Sequence, residues 1–107
     1  MNSLPININI EFKTITQLIP KELGIRKKID IYTSLDIANQ TYIFLHIIQK
    51  SRFLQKDVEK IEEIYTLVQN HTKLSFDKKY IIIEAPLCSK AKTKLENNSW
   101  NCENISL

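Results

Sequence analysis

Glycine is almost absent from this chain of 107 residues, in which Gly24 is the single example. The phosphate-binding loops of P-loop and dinucleotide-binding proteins need several glycines, because their backbone approaches the phosphates closely. The sequence therefore excludes nucleotide-driven chemistry of these classes.

Cysteine is also scarce. Cys88 and Cys102 are the two examples, and they lie too far apart in sequence for a zinc site of the CxxC kind. We expect both to be free thiols in a reducing compartment.

Long apolar runs are missing as well. No stretch approaches the length of a membrane span, and Glu11 and Lys13 interrupt the region where a signal peptide needs its apolar core. We therefore expect a cytoplasmic protein without a membrane segment.

The composition itself is ordinary, with 43% apolar and 25% charged residues and a net charge of +3. This charge permits a nucleic-acid surface without requiring one. The length fits a single domain over residues 1–107.

Period-two alternation of isoleucines with polar residues begins the chain and predicts a strand at residues 5–13. The following segment, 14–24, predicts a weak helix or an irregular connection. Pro20 suits the first position of a short helical turn that Gly24 closes.

The stretch Lys28–Val68 organises the rest of the chain. It predicts a hairpin of strands 28–35 and 41–49 around a turn at 36–40, followed by an amphipathic helix at 55–70. The near-continuous apolar run at 42–48 indicates a central strand that is covered on both sides.

In the C-terminal third, the sequence pattern predicts a buried strand at 79–84 and a helix from Ser89 through Glu96. A short final strand near Trp100 and Cys102 and a flexible tail at 104–107 are expected to follow. The order strand, helix, strand over residues 41–85 predicts a right-handed parallel crossover. Periodicity predicts five largely buried residues, namely Ile31, Phe44, Ile61, Tyr65 and Ile82.

Several segments together resemble the PD-(D/E)xK nuclease superfamily, the fold of restriction enzymes and Holliday-junction resolvases. They are KIDIY at 28–32, KSR at 50–52, KDVEKI at 56–61 and YIIIEAPLCSKAKTKL at 80–95. Small members of that superfamily show a VDI strand, a strand ending in ExKSR and a helix beginning DVxKF. The resemblance covers roughly residues 28–102.

In such nucleases two acids on adjacent strands hold a divalent cation near the scissile phosphate, and a lysine helps to position the attacking water. The resemblance makes Asp30 the first acid and Lys50 the lysine. The second acid belongs at position 48, where this chain has isoleucine, which cannot bind Mg²⁺.

We therefore expect a vestigial site of Asp30 and Lys50, with no metal ligands, no cofactor and no catalysis. Mg²⁺ would be expected only if an unrecognised acid completed the site, and Asp36 or Glu84 would contribute only if the sheet brought them close. The simplest alternative is that Asp30 and Lys50 form a cross-strand ion pair. We expect His46 to be a hydrogen-bonded core or sheet residue rather than a metal ligand.

The predicted fold class is α+β, a small mixed sheet of four to five strands with two to three helices. One interpretation is a nuclease-like β-β-α-β core without catalysis, with weak nucleic-acid binding through Lys50, Arg52, Lys90 and Lys94. The alternative is a ferredoxin-like domain that serves as a protein-interaction or homodimerisation module. Strands 41–49 and 79–84 are direct neighbours in the first fold, whereas the ferredoxin-like fold places strand 6–12 between them.

Overall fold

Seven regular elements and one helical turn make up the fold in the computed structural model, which describes residues 4, 5 and 8–105. The strands are β1 (Phe12–Leu18), β2 (Asp30–Asp36), β3 (Thr41–Ile48), β4 (Lys78–Glu84) and β5 (Asn101–Ile105). The helices are α1 (Gln55–Thr72) and α2 (Ser89–Asn97), and a 3₁₀ turn spans Pro20–Leu23. Among the described residues, no helix combines the length and apolar character needed to span a bilayer.

The five strands form one sheet in the order β1-β2-β3-β4-β5. The pairs β1–β2 and β2–β3 are antiparallel, whereas β3–β4 and β4–β5 are parallel. This mixed sheet confirms the predicted α+β class and the predicted parallel crossover through α1. The ferredoxin-like alternative is wrong, because β3 and β4 are hydrogen-bonded neighbours with no strand between them.

Helix α1 forms where the three- and four-residue spacing predicts it. The Asp57 carboxylate accepts a hydrogen bond from the Leu54 N–H at 2.7 Å, which satisfies a backbone donor at the helix start. The helix ends at Lys73, whose φ of 61° is left-handed. Its buried stripe consists of Val58, Ile61, Ile64 and Val68.

Each face of the sheet has its own cover. On the first face, Ile31, Leu45 and Ile83 share one core with the buried stripe of α1 and with Ala91 and Leu95 of α2. The second face carries Tyr32, Tyr42, Phe44 and Ile82, and the chain before β2 packs on it through Leu4, Ile8, Ile10, Phe12 and Ile15. The apolar run of β3 is therefore buried on both sides, as its sequence predicts.

The predicted strand at 5–13 is misplaced, because the first strand among the described residues is β1, at Phe12–Leu18. Residues 6 and 7 of the predicted strand lie outside the described residues. Ile8 and Ile10 alternate correctly, but they cover the second face instead of joining the sheet. The predicted turn at Pro20–Leu23 is present, and Gly24 closes it with a φ of 76° that favours glycine.

The C-terminal prediction also needs a correction. Residues 104 and 105, expected in a flexible tail, belong to β5, and the Asn104 side chain donates to the carbonyls of Ile83 and Ala85, at 2.9 Å each. The last two residues of that predicted tail lie outside the described residues.

Asp36 organises the turn between β2 and β3. Its carboxylate accepts hydrogen bonds of 2.9 Å from the Ala38 N–H, the Gln40 N–H and the Tyr42 O–H. Burial alone would raise the pKa of Asp36, but these hydrogen bonds and the charge of Lys13 outweigh it and lower the pKa. The same turn fixes the register in which Asp30 lies opposite His46.

Four of the five predicted core residues, Ile31, Phe44, Ile61 and Ile82, are fully buried. Tyr65 is less completely buried than these four and packs against the first core. Its ring lies 4.6 Å from the ammonium of Lys79, which also sits 4.7 Å from the ring of Trp100. Burial between these rings lowers the pKa of Lys79.

Candidate functional site

The candidate site lies at the end of the sheet where β3 and β4 finish and β2 begins. Asp30 pairs with His46 across β2 and β3, and Ile48 pairs with Glu84 across β3 and β4. Because cross-strand partners share a face and alternate residues of one strand do too, all four side chains belong to the second face. The sheet therefore brings Glu84 close to the site.

The imidazole of His46 connects the two carboxylates. Its Nε2 hydrogen-bonds Oε2 of Glu84, and its Nδ1 lies 3.8 Å from Oδ2 of Asp30. The Asp30 side chain is half exposed, whereas those of His46 and Glu84 are mostly covered. The arrangement is a carboxylate–imidazole–carboxylate row across three strands.

This row does not fit the divalent cation that a PD-(D/E)xK resemblance implies. A hard cation needs several oxygen ligands that converge on one point. Here the two carboxylates meet opposite nitrogens of one ring, and the neighbouring position 48 presents an isoleucine with 47% exposure. Among residues 4, 5 and 8–105, no group of three or more His, Cys, Asp or Glu is arranged to hold a metal.

Lys50 and Arg52 follow the end of β3 and are exposed. Within the described part of the chain, neither has a carboxylate within ion-pair distance. The predicted cross-strand ion pair between Asp30 and Lys50 is therefore absent from those residues, because Lys50 lies beyond the paired part of β3 and Asp30 faces His46 instead.

A second basic segment, Arg26–Lys28, leads into β2 at the same end. Lys27 Nζ donates to Oε1 of Gln49 at 3.3 Å, which ties this segment to the chain just before Lys50. We call the resulting surface the basic end. It comprises Arg26, Lys27, Lys28, Lys50, Arg52 and Lys90.

Lys90 and Lys94 lie on α2, in the helical layer that covers the first face of the sheet. Lys90 is exposed in the first turn, near the end of β4. Lys94 is half-buried, and its Nζ lies 3.9 Å from Oε1 of Glu59 on α1. The structure therefore separates this pair from the face that carries Asp30.

Cys88 occupies the position before α2. Hydrogen bonds from the backbone N–H groups of Ala91 and Lys90, with the charges of Arg52 and Lys90, lower the pKa of its thiol. Burial raises the pKa of Cys102 to about 11. Both thiols are free, as the sequence predicts.

Sequence reasoning missed the joint role of His46 and Glu84 and assigned no role to Arg26–Lys28. The turn between β2 and β3 contains a signal that could have identified the Asp30–His46 pair. If Asp36 and Gln40 close the hairpin, counting outwards pairs residue 30 with residue 46. The proximity of Glu84 depends on the parallel register of β3 and β4, which local sequence does not specify.

The fold is similar to a solved structure of EndoMS in its apo form, with a TM-score of 0.57 and 11% sequence identity. The match covers 95% of this chain and 40% of the EndoMS chain. No family model matches the chain, and the search of curated proteins finds no match. At this identity the likeness shows the fold alone, which is a small nuclease-like α+β fold.

Proposed function

We propose that this chain is a nuclease-like domain that lacks metal-dependent cleavage and binds nucleic acids without sequence preference through their phosphates. The observation that carries the proposal is the carboxylate–imidazole–carboxylate row beside an uncompensated basic end. The row supports the proposed absence of cleavage, and the basic end supports the proposed binding.

Metal-dependent cleavage needs oxygen ligands that converge on one cation, and the two carboxylates of the row lie on opposite sides of one imidazole. Glu84 directs an oxygen to Nε2 of His46, and Asp30 faces Nδ1 of the same ring. Ile48 supplies no ligand at the position where the resemblance requires the second acid. A metal-activated hydroxide therefore has no place to form next to Lys50.

Charge and exposure at the basic end favour binding. Arg26, Lys28, Lys50, Arg52 and Lys90 are exposed at one end of the molecule, and in the described part of the chain none has a carboxylate partner within 4.0 Å. Asp30 and Glu84 share that end, but both face His46. When such unpaired cations contact phosphates, they displace the counterions that surround the nucleic acid. The release of these counterions supplies non-specific affinity.

The structural neighbour supports the proposal at the level of fold. EndoMS is a nuclease of the PD-(D/E)xK type. The match spans 40% of the EndoMS chain, and at 11% identity it supports the fold alone.

A cleavage assay tests the first half of the proposal. The purified protein, incubated with single- and double-stranded DNA and with Mg²⁺ or Mn²⁺, should leave both substrates intact. Metal-dependent cleavage that disappears in Asp30→Ala would show that the argument from Ile48 and His46 is wrong.

A DNA titration at several salt concentrations tests the second half. Lys50→Ala/Arg52→Ala should make the slope of log K against log salt shallower by about 1.8, since each duplex phosphate contact contributes about 0.9. The matched control, Lys73→Asn/Lys78→Ala, removes two exposed charges at the opposite end and should leave the slope unchanged. Absence of binding even at low salt would overturn the proposal in favour of a protein-interaction module.

A further inference from the structure

An open groove of about 380 Å³ lies between the start of α1 and one face of α2. Its lining has no acidic side chain and consists of Gln55, Ser89, Lys90, Thr93, Lys94 and Asn97. The five α2 residues recur at helical spacing and form one stripe, while Ala91 and Leu95 of the same helix face the core. Two ammonium groups, two hydroxyls and two amides thus line one continuous groove.

The next groove along α1 has the opposite character. Its lining includes the carboxylates of Glu59, Glu62 and Glu63, with Lys94 at the border between the two grooves. The Lys94–Glu59 contact at 3.9 Å marks that border. An anionic ligand is therefore favoured in the first groove and repelled from the second.

The first groove is continuous with the basic end. The Cys88 N–H donates to the carbonyl of Phe53 at 3.1 Å, so the start of α2 is held against the segment that carries Lys50 and Arg52. The charge of Arg52 acts on the Cys88 thiol, which directly precedes α2. A chain bound at the basic end can thus continue over Lys90 into the groove.

We infer that this groove, which we call the α2 groove, holds the sugar–phosphate backbone of one nucleic-acid strand that leaves the basic end. This inference rests on the proposed function and adds the path of the strand. From Lys90 to Asn97 the helix rises about 10 Å, at about 1.5 Å per residue. Over that length Lys90 and Lys94 can each contact a phosphate of one strand.

The side chains that line the groove also indicate which part of a nucleic acid it contacts. None of its residues is aromatic, so it offers no stacking platform for bases. Hydroxyls, amides and ammonium groups bind phosphate and sugar oxygens, which carry no sequence information. The groove should therefore contribute affinity and footprint length without base preference.

The test compares single-stranded oligonucleotides of two lengths by fluorescence anisotropy at several salt concentrations. The shorter one covers the basic end, and the longer one extends into the α2 groove. Lys90→Ala/Lys94→Ala should make the salt slope of the longer oligonucleotide shallower by about 1.4, since each single-strand contact contributes about 0.7. The shorter oligonucleotide should lose only the Lys90 part, about 0.7.

Controls come from the same helices. Lys92→Ala removes an exposed α2 charge outside the groove and should change neither slope. Thr93→Glu places an acid in the lining and should weaken the longer oligonucleotide selectively. Circular dichroism spectra of all variants should match the wild type, which separates loss of binding from loss of fold.

The outcomes separate the groove from the basic end. If Lys90→Ala/Lys94→Ala and Thr93→Glu leave the extra affinity of the longer oligonucleotide intact, the α2 groove is refuted while the basic end stands. If Lys50→Ala/Arg52→Ala has no effect but the groove variants do, the proposed basic end is wrong, and the inferred path of the strand from it into the groove falls with it. Preference for anionic phospholipid vesicles over both oligonucleotides, or no binding at low salt, overturns both.

Discussion

The burial of the second face of the sheet can be tested with two isoleucines that both lie on it. Ile82 in β4 is fully buried beneath the chain that precedes β2, whereas Ile48 in β3 is 47% exposed. Both side chains lie within strands and differ mainly in their cover. The same substitution at each position therefore isolates burial from strand propensity.

The expected magnitudes follow from that difference. Ile82→Ala should lower the free energy of unfolding by about 2–5 kcal/mol, because it removes a buried side chain and leaves a cavity next to Phe44. Ile48→Ala should cost about 1 kcal/mol or less, since β propensity in a host sheet spans about 1 kcal/mol. The buried site should thus cost at least twice as much as the exposed one.

Equilibrium unfolding in urea, followed by circular dichroism, measures both free energies. The m value should stay constant, so that the shift in midpoint reports stability alone. Equal losses at the two positions, or a loss under about 0.5 kcal/mol at Ile82, would refute the burial of the second face by the N-terminal segment.

Two further predictions concern ionisable groups. Burial, with the hydrogen bond to Asp36, raises the pKa of Tyr42 from 10.0 to about 12. The stability that its neutral phenol contributes should therefore be complete below pH 10 and be lost as the pH rises through about 12. Unfolding measured over this pH range, with tyrosinate absorbance to follow the ionisation, tests this expectation. Tyr42→Phe should flatten that alkaline loss, and an unchanged pH profile would contradict the assignment. Because its pKa is lowered, Cys88 should be alkylated faster at neutral pH than Cys102, whose pKa is about 11. Mass spectrometry of partly modified protein measures the two rates, and faster modification of Cys102 would contradict the prediction.

The elements between residues 28 and 97 were predictable because their patterns are local. Helical spacing from Val58 to Val68 places α1 within two residues of its observed end, and the apolar runs place β3 and β4 within one residue. The N-terminal strand failed for a physical reason. Alternation at Ile8 and Ile10 shows that one side of that segment is buried, but it does not say whether the segment joins a sheet or covers one.

The site was less predictable than the fold. The resemblance assigns Asp30 and Lys50 to a vestigial site and the missing second acid to position 48, and this assignment stays a prediction. The row of Asp30, His46 and Glu84 depends on two strand registers, that of β2 with β3 and that of β3 with β4. Pairing across a parallel crossover is tertiary information, so no local pattern identifies Glu84 as a neighbour of His46.

The separation of fold from catalysis follows from where the stabilising contacts lie. The fully buried residues, such as Ile31, Phe44 and Ile82, belong to two cores that do not include Asp30 or Lys50. Ile48 is 47% exposed and belongs to neither core, so an isoleucine in place of an acid at this position opens no cavity in them. The cations of the basic end need no metal to contact phosphates. The proposed absence of cleavage and the proposed phosphate binding therefore place no demand on the two cores, and the combined cleavage and salt-titration assays measure the two proposed properties independently.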